Sequence, residues 1–325
     1  MSSPSKFTLE TTAEEVAATF VDEIKGKNVL VTGTSVNGIG CNSASSIAKY
    51  ANLVIVTGYN EERLKLTEEF IKKETPTANV RRLVLDLSSL SAVRKAAAEV
   101  NAYPEPIHVL ISNAAAAIGP FKLTVDNLES QMATSHVGPF LFTKLIANKL
   151  LAAGTPTYVP RIVYVSSEAH FHGTGVNFDT LGKPDKEKYH PLETYCQIKS
   201  AGVSMAMEVS KRSGGEINGY SCTPGVVLTN MNQKPESLEW MQMIGVIGPD
   251  GKPDYDKFKW KSLSQGAATV IAAAFDPSLN DAPGSYLTED SVADNTKRAA
   301  HSADPAQREK LWSMTEEIVG EKFTF

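Results

Sequence analysis

The chain has 325 residues, with 32 Lys+Arg against 37 Asp+Glu, a net charge of −5, 42% hydrophobic and 21% charged residues. These values are ordinary for a globular protein and exclude a disordered chain and a coiled coil. The small acidic excess, without a long basic run, argues against a nucleic-acid or anionic-membrane partner. A chain of this length buries a core large enough to fold without disulfide bonds or structural metals.

The cysteines and the N-terminal segment bear on the compartment. Cys41, Cys196 and Cys222 are an odd number without CxxC spacing, so we expect neither a disulfide framework nor a zinc site. The N-terminal segment lacks the basic head and apolar core of a signal peptide, and no apolar run is long enough for a membrane span. We therefore expect a cytoplasmic protein with no membrane span and no bound metal.

Short apolar runs alternate with helical patterns along the chain. A polar extension, residues 1–25, comes first, with a short helix expected at 13–24. Strands are expected at 28–32, 53–57, 80–85, 107–111, 161–165 and 217–222, with a seventh at 285–287, and helices at 41–50, 61–74, 90–100, 127–151 and 195–211. Such alternation predicts an α/β fold, a doubly wound parallel sheet covered by helices on both faces. No linker divides residues 26–325, so we expect them to form a single domain.

Two long stretches without a clear pattern, residues 168–193 and 230–261, interrupt this alternation. Segments of such length usually form lids or binding loops, so we expect lid-like substrate insertions. The second stretch contains Met and aromatic residues that either line an adaptable apolar pocket or pack the loop onto the core. These residues are Met231, Trp240, Met241, Met243, Ile244, Phe258 and Trp260.

The first of these stretches carries His170, Phe171, His172 and His190. A His-x-His pair suits a metal, but no cysteine or carboxylate cluster accompanies it at ligand spacing. We therefore expect these side chains to line a pocket or to face solvent.

The first expected strand is followed by a glycine-rich turn, TGTSVNGIG, over residues 32–40. Gly33, Gly38 and Gly40 permit a tight turn and a close approach of the backbone to a pyrophosphate, while the next helix supplies amide donors at its N-terminus. Any strand-to-helix turn can use glycine, but the position of this one after the opening strand favours a dinucleotide site. Cys41 follows the turn, where a redox role is conceivable and a small buried residue is the simpler expectation.

This turn resembles the TGxxxGIG turn of the short-chain dehydrogenase/reductase family, with four residues instead of three between Gly33 and Gly38. Further motifs follow in the family's order: DL at 86–87 after the third strand, SNAA at 112–115 in place of NNAG, SS at 166–167, YCQIK at 195–199 matching YxxxK, and PGVVLT at 224–229 matching PGxxxT. The long insertion between Ser167 and Tyr195, the segment DLSSLSAVR and the C-terminal REKLWSMTEE resemble the retinol-dehydrogenase-like branch. That branch mostly interconverts alcohols and carbonyls of lipophilic substrates.

The resemblance implies a Rossmann-type fold and an NAD(P)(H)-dependent oxidoreductase. It implies that the following residues bind the cofactor: Gly33, Ser35, Asn37, Gly38, Ile39, Gly40, Tyr59, Asn60, Arg63, Asp86, Leu87, Asn113, Ala114, Tyr195, Lys199, Pro224, Gly225, Val227 and Thr229. It also implies that Lys199 holds the nicotinamide ribose and that Ser167 contacts the substrate oxygen.

Tyr195 and Lys199 are four residues apart and therefore share one face of a helix. A free phenol has a pKa of about 10, and a nearby ammonium favours the phenolate. Tyr195 is then able to donate or accept a proton as a carbonyl and an alcohol interconvert. An ordinary surface pair is the alternative, but Ser167 at the end of a strand favours catalysis.

One residue departs from the family's catalytic set. Alignment of MATSHVGPFLFT with the family's VNHLGHFLLT places Ser135 where the family has an Asn that anchors a water in the proton relay. Serine is shorter and offers a hydroxyl instead of an amide, so we expect a slower enzyme or an altered relay with Ser135 as its member.

The end of the second strand bears on the choice of cofactor. The sequence TGYN at 57–60 lacks a carboxylate that would repel a 2′-phosphate, and Arg63 is the nearest cation. These features favour NADP(H) without excluding NAD(H). Tyr59 either stacks on the adenine or covers the edge of the sheet.

The sequence therefore predicts an oxidoreductase, a ketoreductase-type enzyme, that interconverts a carbonyl and an alcohol on an apolar small molecule. The alternatives are a non-catalytic dinucleotide-binding or redox-sensing protein and a reductase of an activated C=C bond. The resemblance also allows a homodimer formed through the helices after the fourth and fifth strands.

Overall fold

The structure is a computed structural model that describes residues 7–288, 291–292 and 298–325. Its strands are β1 (Asn28–Val31), β2 (Leu53–Gly58), β3 (Val80–Val84), β4 (Val109–Ser112), β5 (Arg161–Val165), β6 (Asn218–Cys222), β7 (Val226–Val227), β8 (Trp260–Lys261), β9 (Tyr286–Thr288) and β10 (Ser291–Val292). Its helices are α1 (Ala13–Thr19), α2 (Val21–Ile24), α3 (Ile39–Ala48), α4 (Glu61–Glu74), α5 (Leu90–Ala102), α6 (Ser130–Met132), α7 (Gly138–Leu151), α8 (Pro191–Arg212), α9 (Pro235–Met243), α10 (Leu263–Phe275), α11 (Ala300–Ala303) and α12 (Pro305–Val319).

The main sheet confirms the predicted doubly wound α/β fold. Within the described residues it has eight strands in the order β10-β9-β6-β5-β4-β1-β2-β3. All neighbouring pairs from β9 to β3 are parallel, and β10 joins β9 in the antiparallel sense, beyond the seven strands expected. The order in which strands are added to the sheet reverses between β1 and β4: β2 and β3 lie beyond β1, and β5 and β6 lie beyond β4. This reversal opens a crevice at the carboxyl ends of β1 and β4.

Burial on both faces explains why the central strands are continuous apolar runs. Every residue of β1 and β4 is buried, because helices cover each side of the sheet. One apolar core lies between the sheet and α5, α7 and α8, and includes Leu110, Phe140 and Met205. The other lies between the sheet and α1, α3 and α10, and includes Val29 and Ile47.

The expected N-terminal helix forms two short helices. Thr12 and Glu15 form a capping box that starts α1, and Phe20 ends it before α2 begins. The buried side of α1, with Val16 fully inaccessible, belongs to the same core as α3 and α10. The division into an extension and a single domain stays a prediction.

The prediction of one helix over 127–151 is wrong at its N-terminal end. Asn127 has a left-handed φ of 57°, and the Glu129 side chain accepts hydrogen bonds from the N–H groups that start α6. A π-helical turn, Ala133–Val137, then separates α6 from α7. Pro139 has no N–H to donate to the Ser135 carbonyl, so the regular ladder is interrupted there.

The stretch 230–261, expected to have no regular structure, contains α9 and ends in β8, which pairs with β7. None of the described helices is both long and apolar enough to cross a membrane.

Close packing of α8 on β6 gives a stability prediction. A Cβ on Gly219 would lie 2.2 Å from the Ala206 carbonyl oxygen, whereas one on Gly58, also in a strand, would meet nothing nearer than Leu64 Cδ2 at 3.5 Å. We expect Gly219→Ala to lower the free energy of unfolding by about 2 kcal/mol or more through overpacking, and Gly58→Ala to change it by less than about 0.5 kcal/mol. Urea denaturation of both variants measures this, and equal effects would contradict the packing described.

Candidate active site

A cleft of about 640 Å³ lies at the carboxyl ends of the central strands. Ser167, Tyr195 and Lys199 all line it, so the structure brings together three of the four predicted catalytic residues. Apolar side chains of residues 230–261, which we call the lid stretch, also line this cleft, and include Met241 and Phe258.

Ser167 reaches the cleft because β5 ends two residues before it. Ser166 points inward and its hydroxyl donates to the Lys199 carbonyl oxygen at 2.7 Å. Ser167, next in the alternation, faces the cleft, and its hydroxyl accepts from the Ala169 N–H at 3.2 Å. That bond caps the 3₁₀ turn Glu168–Phe171 and holds Ser167 at the mouth of the strand.

Helix α8 presents Tyr195 and Lys199 together. It starts earlier than predicted, at Pro191, because the His190 ring accepts from the Glu193 N–H at 3.4 Å and caps it. The Lys199 Nζ donates to the Val165 carbonyl oxygen at 3.0 Å and lies 5.5 Å from the centre of the Tyr195 ring.

Burial governs the proton affinities of this pair. It lowers the pKa of the Lys199 ammonium to about 8. It also raises the pKa of the Tyr195 phenol, a shift that a hydrogen bond with Ser167 opposes only in part. The structure therefore does not lower the Tyr195 pKa as the neighbouring lysine predicts, because loss of water outweighs the hydrogen bond with Ser167. Tyr195 keeps its proton at neutral pH.

The glycine turn is held against the end of β4 by Asn113. Its side-chain amide donates to the carbonyl oxygens of Thr32 and Gly33, both at 2.9 Å. A Cβ on Gly33 would lie 2.7 Å from the Ala114 Cα, and one on Gly40 would lie 2.4 Å from the Asn113 amide nitrogen. The close approach of the turn to the end of β4 therefore requires glycine at both positions.

The additional residue of the turn lies toward the lid. Asn37 has a left-handed φ of 61°, and its carbonyl oxygen accepts from the Asn230 N–H at 3.3 Å. The Asn230 side chain donates to the Val36 carbonyl oxygen. Gly38 is the N-cap of α3 and provides no side-chain cap, which leaves the first amides of that helix open to an anion.

The predicted cofactor residues fall into three groups in the structure. Those on the cleft wall, besides Tyr195 and Lys199, are Ile39, Asn113, Pro224, Gly225, Val227 and Thr229. Those around a separate small depression at the end of β2 are Ser35, Tyr59, Asn60 and Arg63. Those on neither wall are Gly33, Asn37, Gly38, Gly40, Asp86, Leu87 and Ala114.

Asp86 is occupied locally. Its carboxylate accepts from the Ser88 N–H at 2.9 Å and from the Ser88 hydroxyl at 2.6 Å, and it borders a groove between α4 and α5. Leu87 is buried. Contact of either residue with a cofactor stays a prediction.

Ser135 lies behind the loop that follows β4 and not on the cleft wall. Its hydroxyl accepts from the Ala116 N–H at 3.1 Å. Ser135 is therefore the one predicted catalytic residue that the structure keeps apart from Tyr195 in the cleft, and its place in a relay stays a prediction.

Tyr59 stands exposed at the end of β2, with 61% of its surface accessible. Arg63, one turn into α4, donates to the Tyr59 hydroxyl at 3.3 Å. Asn60 caps α4 by accepting from the Arg63 N–H at 2.9 Å. The phenol and the guanidinium thus form one exposed polar corner of the depression.

The apolar residues of the lid stretch follow the two expectations only in part, because some line the cleft, others pack locally and Met243 does neither. Met231, Met241, Ile244 and Phe258 line the cleft. Trp240 instead packs on His190 at 5.6 Å between ring centres, the Trp260 indole donates to the Asp254 carbonyl oxygen at 2.9 Å, and Met243 is 63% exposed.

The histidines do not behave alike. His172 borders the cleft as expected, but His170 is fully buried and lines no pocket, which corrects its prediction. Among the described residues no group of three His, Cys, Asp or Glu side chains could hold a metal ion.

Sequence reasoning missed several residues of the cleft wall, among them Ile118 and Leu192. Leu192 lies three residues before Tyr195 on the same face of α8, a spacing that could have identified it. Ile118 carries no such signal, because it reaches the cleft only through its loop, where its carbonyl oxygen accepts from the Ser237 hydroxyl of α9 at 2.7 Å.

Comparison with known proteins identifies the family to which this chain belongs. The sequence profile described as short chain dehydrogenase matches residues 27–177. The chain is 31% identical over 314 residues to short-chain dehydrogenase TIC 32 A, chloroplastic, of Brassica napus, which covers 95% of this chain and 92% of that protein. The chain belongs to the short-chain dehydrogenase/reductase family. The predicted family and the predicted class, an NAD(P)-dependent oxidoreductase, are thereby confirmed.

Other relatives of this short-chain dehydrogenase/reductase include polyprenol dehydrogenase of Homo sapiens, 29% identical over 90% of this chain and 84% of that protein. The predicted retinol-dehydrogenase-like branch is compatible with these relatives. Among solved structures, a gluconate 5-dehydrogenase from Burkholderia cenocepacia in complex with NADP and tartrate superimposes with a TM-score of 0.60 at 18% identity. The superposition covers 82% of this chain and 96% of the gluconate 5-dehydrogenase chain, and this similarity supports the fold.

The three cysteines give a labelling prediction. Burial raises the pKa of the Cys41 thiol to about 12, and Cys222 is buried, whereas Cys196 is half-buried on the cleft wall. We expect a maleimide reagent to label Cys196 first in the native protein and Cys41 only after unfolding, since the reactive species is the thiolate. Mass spectrometry of wild type beside Cys196→Ser and Cys41→Ser measures this. Rapid native labelling of Cys41 would revive a redox role.

Proposed function

We propose that this enzyme reduces the carbonyl group of an apolar small molecule with NADPH, with Tyr195 as the proton donor. The observation that carries the proposal is the meeting of Ser167, Tyr195 and Lys199 in one apolar-walled cleft, with the Tyr195 proton retained at neutral pH.

The glycine turn and the start of α3 fit a dinucleotide. A Cβ on Gly40 or Gly33 would fill the narrow space beside Asn113 and Ala114, and the uncapped amides of α3 suit a pyrophosphate. Pro224, Thr229 and Lys199 on the cleft wall would hold the nicotinamide end. The bound cofactor supplies the hydride.

The chain's own residues supply the proton and orient the substrate. The Ser167 hydroxyl would hydrogen-bond the carbonyl oxygen and stabilise its developing charge. The Tyr195 phenol would donate its proton to the same oxygen. The Lys199 ammonium, 5.5 Å from the ring centre, then stabilises the phenolate that remains. Because burial favours the protonated phenol, Tyr195 stands in the form that carbonyl reduction requires.

NADPH is favoured over NADH by the corner at the end of β2. Arg63 and Tyr59 are exposed there and no carboxylate lies among the residues around the depression. Arginine pairs with a 2′-phosphate, and a carboxylate would repel it. The gluconate 5-dehydrogenase that shares the fold is described in complex with NADP.

An apolar substrate is supported by the lid wall. Met241, Ile244, Phe258 and Ile118 line the same cleft as the catalytic groups, and methionine adapts to irregular apolar shapes. One relative is named polyprenol dehydrogenase, after an apolar alcohol. The cytoplasmic location and the homodimer stay predictions.

Replacement of the proton donor tests the proposal. We expect Tyr195→Phe to lower kcat by about 100-fold or more while the Kd for NADPH stays within about two-fold, because Phe keeps the ring on the cleft wall and removes only the hydroxyl that donates the proton. Tyr255→Phe, which alters a lid tyrosine that is 71% exposed, should leave both unchanged. The measurement is NADPH oxidation with decanal, cyclohexanone and 2-cyclohexenone, with product analysis.

The outcomes separate the alternatives. If 2-cyclohexenone were the one compound of the panel that reacts, and cyclohexanone its product, the protein would be a C=C reductase. NADPH binding without turnover of any substrate would favour the sensor, and full activity of Tyr195→Phe would contradict the proposed mechanism.

A further inference from the structure

His170 is a polar ring with no access to solvent, three residues after Ser167. It packs against Tyr286 at 4.6 Å and Phe171 at 4.1 Å between ring centres. A buried imidazole needs partners for its nitrogens, and both nitrogens have one. Nδ1 lies 2.7 Å from the Ser167 carbonyl oxygen, and Nε2 lies 3.4 Å from the Ala299 backbone nitrogen.

These two partners define the state of the ring. A carbonyl oxygen only accepts, so Nδ1 carries the hydrogen, and the Ala299 N–H only donates, so Nε2 is bare. Burial above all, with a smaller contribution from the neighbouring His301 and His172, lowers the pKa of His170 to about 4, although the Ser167 carbonyl opposes the shift. The ring is therefore a neutral, directional link between the Ser167 turn and the C-terminal part of the chain.

The C-terminal partner of this link also binds α8. We call residues 299–302 the C-terminal bridge. On one side the His301 Nε2 donates to the His170 carbonyl oxygen at 2.9 Å. On the other side the Ser302 hydroxyl bonds that of Ser200 at 2.8 Å, and the Ser204 hydroxyl donates to the Ser302 carbonyl oxygen at 3.1 Å. The bridge thus connects the turn after β5 with the helix that carries Tyr195 and Lys199.

We propose that His170 is a positioning residue, which fixes the catalytic Ser167 relative to Tyr195 by donating to the Ser167 carbonyl oxygen while the C-terminal bridge orients its ring. This rests on the proposed function, in which Ser167 contacts the substrate carbonyl. The Ser167 backbone aims the hydroxyl, so loss of the Nδ1 donor lets the turn move. A displacement of about 1 Å in a catalytic group costs up to about 100-fold in rate.

A pair of substitutions isolates the Nδ1 donor. His170→Phe keeps an aromatic ring against Tyr286 and removes both hydrogen bonds. His170→Asn supplies an amide N–H near the position of Nδ1. We expect the Phe variant to lose about 10- to 100-fold in kcat and the Asn variant to recover most of that loss. The Kd for NADPH should stay within about two-fold in both, because His170 lines no part of the cleft.

A double substitution shows whether His170 acts through Ser167. In the Ser167→Ala background, His170→Phe should lower kcat no further, because the group that it positions is absent. A multiplicative loss, or equal kcat values for Phe and Asn, would overturn the inference. Full turnover of Ser167→Ala, or no turnover of the wild type with the carbonyl panel, would instead overturn the proposed function and the inference with it.

Discussion

The close approach of the glycine turn to the end of β4 is the constraint on which the site depends. Asn113 donates to two carbonyl oxygens of the turn, and Gly33 and Gly40 leave no room for a Cβ at the contact. This contact joins the two halves of the sheet where the strand order reverses. It aims the first turn of α3 at the crevice that also receives the ends of β5 and β6, so the dinucleotide site and the catalytic groups share one edge.

The second determinant is the low polarity of that crevice. Burial shifts Lys199 and Tyr195 toward their neutral forms, so the pair does not begin as an ion pair. A neutral phenol is the form that a reductase needs, and the ammonium gains its role only when a phenolate appears. Burial outside this crevice likewise makes Cys41, at a helix N-terminus where thiols are often reactive, a packing residue. For the Tyr195–Lys199 pair and for Cys41 alike, loss of water shifts the pKa more than the position of the group along its helix does.

Much of this arrangement could be predicted from local patterns. The alternating apolar runs predicted the sheet, and the spacing of Tyr195 and Lys199 predicted their shared face, because both depend on periods of a few residues. Features that depend on distant contacts were out of reach. His170 acquires its role from Ala299, 129 positions away in the chain. The π-helical turn near Ser135 depends on Pro139 and on the packing of Gly138, where a Cβ would lie 2.2 Å from the Leu87 carbonyl oxygen. The pKa of Tyr195 depends on burial that spacing does not show.

The central claim, an NADPH site built on the glycine turn, is tested most directly by thermal unfolding with saturating NADPH, NADH, NADP⁺ and NAD⁺. A ligand at 100 times its Kd stabilises the folded protein by about 2.7 kcal/mol, which raises Tm by several degrees. We expect NADPH to raise Tm more than NADH, and Arg63→Met, but not the neighbouring exposed Lys65→Met, to remove that difference. No shift with any of the four nucleotides would contradict the account, because the longer turn would then have lost its phosphate site.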